Sequence, residues 1–147
     1  MSLFVGISPN VQRKINELLR KRHLPDSALR WIGERYARDA RNCFAFQRAP
    51  SGQAWPPLAP ETLHRKQKER ARFQGVGRWS GALQRSVRWR WNRERLEIGT
   101  SAPHAAWFGL GNQRLPARPF LGADRPVDRE VLRYLQQFEA VFPPSKR

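Results

Sequence analysis

The sequence predicts an α+β fold: two or three N-terminal helices, a small antiparallel β-hairpin or sheet, and a C-terminal helix. Three observations carry that prediction. Leu29, Ile32, Tyr36, Ala40, Cys43 and Phe44 recur at helical spacing with charged residues between them. From Val87 the period changes to two, with Val87, Trp89 and Trp91 on one face and Arg88 and Arg90 on the other. Near the end, Val127, Val131, Leu135, Phe138 and Phe142 return to helical spacing.

Each element has its own local reason. Residues 9–22 read as a short helix, with Ser8 as cap, Pro9 in the first turn, and Val11, Ile15, Leu18 and Leu19 on one face. Residues 27–47 form the longest helix, opened by Pro25-Asp26-Ser27. Residues 48–60 carry four prolines and a glycine and read as a loop, with Trp55 inserted into the body or a neighbour. A third helix is expected over 60–72, with a dense cationic surface of Arg65, Lys66, Lys68, Arg70 and Arg72. Gly75 and Gly77 mark a flexible stretch, and Ser80-Gly81-Ala82-Leu83 a turn or short helical start. The strand from Val87 turns at Asn92-Arg93-Glu94-Arg95 and returns through Leu96-Glu97-Ile98, a β-hairpin. Residues 101–115 form an aromatic loop or short helix around Trp107. Pro116 to Gly122 is extended and proline-restricted. The last helix spans 126–142, and residues 143–147 fray.

The chain has 147 residues, which suits one domain over 1–147. Its first 25 residues are a candidate assembly arm. The hydrophobic share is 39% and the charged share 27%. That balance predicts a small core, or one completed by neighbouring subunits. The net charge is +16, and arginine supplies 23 of the 28 basic residues. Such a charge favours nucleic acid or an acidic protein surface, unless it is the solvated surface of a protein from an arginine-rich proteome. No stretch reaches the length of a transmembrane span, and the opening residues lack a signal-peptide pattern, so no membrane partner is expected and the chain reads as made in the cytoplasm.

No catalytic, cofactor or metal constellation is expected. His23, His64 and His104 are scattered, and no acidic cluster has ligand spacing. Gly75-Val76-Gly77 lacks the third glycine of a dinucleotide loop, and Ser80-Gly81 lacks the nucleophile elbow. Cys43, the single cysteine, reads as a small core residue. The sequence thus points away from an enzyme. Trp89 and Trp91 with Arg88 and Arg90 suit either a stacking and phosphate-binding ribbon or, more in keeping with tryptophans on one strand face, a core or subunit interface.

A broken string of short motifs runs between these elements: Phe46-Gln47, Gly52 to Leu58, Glu61-Thr62 with Lys66, Ser80 to Leu83 with Ser86-Val87, Ile98-Gly99-Thr100, and Pro116 to Gly122. Their order and spacing resemble the virion morphogenesis, or tail completion, family of tailed bacteriophages. The resemblance covers roughly residues 40–140. His104 to Gly109 stands where the family pattern often has Tyr-Ala before a His/Gln-x-Gly segment. The resemblance implies a structural virion protein that completes the tail or joins it to the head. It implies self-association into a ring of six or more copies around the DNA channel, contacts with neighbouring neck and tail proteins, and a place at the head–tail junction or tail end. Trp55, Trp107, Arg118 and Phe120 are the candidate interface residues. Arg65, Lys66, Lys68, Arg70, Arg72, Arg88 and Arg90 are the candidates to face DNA or another polyanion. The alternative is a basic nucleic-acid-binding module.

Pro116 and Pro119 stiffen the last motif, which suits either a docking edge or a rigid crossover into the final helix. The docking reading predicts that Arg118→Ala leaves the monomer's melting temperature nearly unchanged and weakens assembly. A large stability loss makes the segment structural.

Overall fold

Three helices bury the apolar stripes that their sequences carry. Helix α1 (Pro9–Arg20) buries Val11, Ile15 and Leu18. The Ser8 hydroxyl makes no capping bond; Pro9 at the first turn has no N–H to satisfy, and its fixed φ pre-orders the helix start. Helix α2 (Asp26–Phe46) buries eight residues, from Ala28 to Phe44. It ends where Gln47 takes the left-handed conformation at φ 55°. The computed structural model describes residues 2–69, 81–103, 105–111, 113, 116–122 and 125–141. The stretch around Gly75 and Gly77, Ser80, Arg70 and Arg72 (expected in the third helix), His104, Phe142 and the 143–147 tail lie outside these residues.

Beyond α2 come α3 (Pro60–Lys68), α4 (Ala82–Ser86), α5 (Ala105–Leu110) and α6 (Val127–Val141). Two strands, β2 (Arg88–Asn92) and β3 (Arg95–Thr100), form the expected hairpin. Its two turn residues, Arg93 and Glu94, both have positive φ, at 48° and 64°. That twist matches the strands, though without the glycine that such turns favour. Helix α1 holds it: the side-chain amides of Gln12 and Asn16 donate to the Glu94 carbonyl at 3.0 and 3.2 Å.

The sheet has a third strand, β1 (Leu3–Gly6), and its order is β1-β3-β2, antiparallel throughout. Leu3–Gly6, Pro9–Arg20 and Leu24 therefore belong to the folded body. Leu3–Gly6 supplies an outer strand and α1 a wall of the core. The sequence hid this strand because it is a four-residue apolar run without alternation. Its partner lies more than ninety residues away, with Phe4 opposite Gly99. A Cβ at Gly99 would stand 2.0 Å from the Leu3 carbonyl oxygen and 2.6 Å from the Phe4 ring, so only glycine lets β1 lie flat there.

Helix α2 crosses the inner face of the sheet. A Cβ at Gly33 would stand 2.2 Å from the Trp89 indole, so the bare helix backbone is what receives that ring. The indole N–H then donates to Glu34 at 3.0 Å. One apolar cluster joins α1, α2, β3 and α6 through Ile15, Ile32, Tyr36, Leu96, Ile98, Val131 and Leu135. The core is one continuous body, and the outer sheet face is left for other uses.

Candidate interaction surfaces

Two of the motifs, Gly52 to Leu58 and Pro116 to Gly122, meet in one aromatic knot. Phe44 of α2, Trp55 of the proline-rich loop, Phe108 of α5 and Phe120 of the extended block touch one another, with ring centroids 5.0 to 6.0 Å apart. Hydrogen bonds to main-chain carbonyls lock it. The Trp55 indole donates to the Pro119 carbonyl at 2.9 Å. Arg118 donates through Nε and Nη2 to the carbonyls of Pro56 and Pro57, both at 3.0 Å. Its backbone N–H donates to Phe108 at 3.1 Å. Burial pulls the Arg118 guanidinium pKa down from its ordinary value, since the carbonyls repay desolvation only in part.

Arg125, which nothing in the sequence pattern singled out, closes the same block from the other side. It is 4% exposed. Its guanidinium pairs with Asp39 at 2.7 Å and donates to the carbonyls of Gly122, at 3.0 Å, and Phe120. Its backbone N–H donates to Asp128 at 2.9 Å, and Asp128 also accepts from the buried Tyr36 hydroxyl. Burial, then that carboxylate, push the Tyr36 pKa far up.

Three of the four candidate interface residues therefore point inward. Trp55, Arg118 and Phe120 are buried within this chain and fasten the crossover into α6. Of the two readings left open for Pro116 to Gly122, the geometry favours the crossover. Trp107 is the outward one, 58% exposed on α5, with exposed Leu110 three residues on.

The candidate polyanion-facing residues divide too. Lys66 is buried, so it is withdrawn from the cationic surface of α3, where Arg65 and Lys68 are exposed. Arg88 and Arg90 are exposed on the outer face of the sheet, joined by Arg95 of β3. Arg88 donates to the Ser101 hydroxyl at 2.9 Å. Arg90 lies 3.8 Å above the Phe4 ring and pairs with Glu97 at 2.9 Å. Desolvation would raise the Glu97 carboxyl, but the bonds from Arg90 and Asn92 outweigh it and hold its pKa low. Trp89 and Trp91 turn to the opposite, helix-covered face and are only partly exposed. The packing reading thus fits them better than a stacking ribbon.

Among the described residues, no group of three or more His, Cys, Asp or Glu is placed to hold a metal ion. Cys43 is buried, and desolvation pushes its thiol pKa up against the lowering effect of Arg125, which suits a packing role.

The model of the phage virion morphogenesis family matches residues 8–138. The chain belongs to the phage virion morphogenesis family. No curated protein and no solved structure shows significant similarity to it. The match starts well before residue 40, so it takes in α1 and all of α2, beyond the segment where motifs were legible. This phage protein has a role in virion morphogenesis and is associated with the virion; such roles are typically structural. No described helix is long and apolar enough to cross a membrane.

Proposed function

We propose that this virion morphogenesis protein is a tail completion or neck component that forms an oligomeric ring around the DNA channel at the head–tail junction. The observation that carries this reading is the division of its surface. The outer sheet face presents Arg88, Arg90 and Arg95, while Trp107 and Leu110 present apolar area elsewhere. A cationic face suits passing DNA. An exposed tryptophan beside a leucine suits a neighbouring subunit or another neck protein. A net charge of +16 on each copy opposes self-association, so DNA or acidic neighbours would favour the ring.

The test is mass photometry of the purified protein at moderate and high salt, with and without short duplex DNA. Oligomers of six or more copies that persist in high salt support the ring. A monomer that changes only by binding DNA, and loses it as salt rises, sinks the ring and favours the basic nucleic-acid-binding module. Such a module's affinity should fall on the order of a thousandfold between about 50 and 200 mM salt.

A further inference from the structure

We propose that the groove between the end of α2 and the start of α6 is a docking site for a short acidic, apolar peptide segment of another protein. Two adjoining cavities of about 370 and 380 Å³ meet there and share Pro50 and Pro126. Two prolines stiffen both, the first cavity being the more apolar and the second the more polar. Pro50 and Pro126 have fixed φ and no N–H to offer; Ala49 and Phe46 add apolar surface to the first cavity beside Asp39 and Asn42, and Ser51, Arg125 and Arg129 line the second. Phe46 is 68% exposed, although its neighbour Phe44 is fully buried. The loop opposite α6 is held in place. The Ala49 N–H donates to the Gln53 carbonyl at 2.8 Å, and the Gly52 N–H to Ala49 at 2.9 Å. A groove ordered before binding loses less entropy when it is filled.

Charge selects the occupant. Arg48 lines one cavity and Arg129 the other, both exposed. Among the described residues neither guanidinium has a carboxylate partner. The groove's own carboxylate, Asp39, is already taken by Arg125 at 2.7 Å. An apolar trough flanked by two unneutralised arginines fits a segment that places a large apolar side chain beside carboxylates. A second copy of this chain is a poor source of one. It carries +16, and six of its twelve acidic residues, Glu17, Glu34, Asp39, Glu97, Glu130 and Glu139, are already paired with its own lysines and arginines. Phosphates could meet the same arginines, but DNA would leave the Phe46, Ala49 and proline surface between them unused. The groove needs neither a ring nor DNA in order to be filled.

The experiment is selection from a random short-peptide library on the immobilised full-length protein at about 0.15 M salt, where the Debye length is about 8 Å. The expected pool pairs aromatic or aliphatic side chains with Asp or Glu. Affinity of the selected peptides should fall roughly tenfold or more in Arg48→Glu, Arg129→Glu and Phe46→Ser. It should hold in Arg13→Glu and Arg20→Glu, the charge-matched controls on α1. All five positions are exposed, and thermal melts confirm that each variant folds. An equal loss in the α1 controls would reduce the effect to total charge and overturn the site. So would a pool without acids, no enrichment at all, or displacement of the peptides by a single-stranded oligonucleotide whose own binding depends on the same three residues.

Discussion

Two sets of arginines divide this molecule. Arg118 and Arg125 lie enclosed in the knot and direct their donors at main-chain carbonyls and at Asp39. Arg88 and Arg95 lie open on the outer sheet face. The same residue type fastens the fold in one region and charges the surface in the other. The acceptors explain the difference. The knot is built from segments containing Pro50, Pro56, Pro57, Pro116 and Pro119, which have no N–H and cannot pair as central strands. Their carbonyls must find donors elsewhere, and the planar guanidinium supplies several at once. On the sheet the carbonyls already pair strand to strand, so the arginines there turn instead to side chains, as Arg88 does to Ser101, or lie over the strands, and they stay exposed. Net charge alone therefore overstates the cationic surface and does not locate it.

The largest effect is expected at Arg125. Arg125→Met keeps much of the side-chain volume but removes the partner of Asp39 and the donors to the Phe120 and Gly122 carbonyls. Breaking a buried pair from one side costs about 3–5 kcal/mol. Urea denaturation followed by tryptophan fluorescence measures it. A loss comparable to that of a surface substitution would mean that the knot does not depend on its buried guanidinium, and the division of the arginines would fail.

Arg118 should come next. Arg118→Ala strands two carbonyls, those of Pro56 and Pro57, for a loss of about 2 kcal/mol. Arg118→Lys should recover little, because an ammonium lacks the fork that reaches both. The docking-edge reading of the sequence expects an unchanged melting temperature instead. One calorimetric scan of each variant separates the two.

Much of this fold is legible in the sequence. The stripes of α1, α2 and α6 and the alternation of β2 state which face is buried, because period and burial share one cause. Strand β1 is not legible, since its pairing with β3 depends on a distant glycine rather than on its own pattern. The motifs mark Trp55, Arg118 and Phe120 as important, yet motif identity carries no direction, and all three turn inward. Lys66 looks continuous with its cationic neighbours, and only the packing around α3 withdraws it. Arg125 has no local signal at all; its meaning lies in Asp39, eighty-six residues earlier.

The smallest effect on stability is expected where the functional effect should be clearest. Arg88→Gln and Arg95→Gln remove charge from the open sheet face without disturbing a strand bond. Each should change stability by no more than about 0.5 kcal/mol. If this face meets DNA, each should also lower the salt slope of log affinity by roughly one, as expected for a lost phosphate contact. Arg90 is the informative exception. It covers Phe4 and neutralises Glu97, which is only 6% exposed. Arg90→Gln should therefore lose stability as well as charge. Because Glu97's pKa is held low in the fold, its contribution is present at neutral pH and fades as acid protonates it. As pH falls below the ordinary glutamate range and through Glu97's lowered pKa, the gap between the Arg90 variant and the parent should narrow to what the Phe4 contact leaves. A slope unchanged by all three variants would remove the sheet face from DNA contact, and the exposed cations of α3 would be the next place to look.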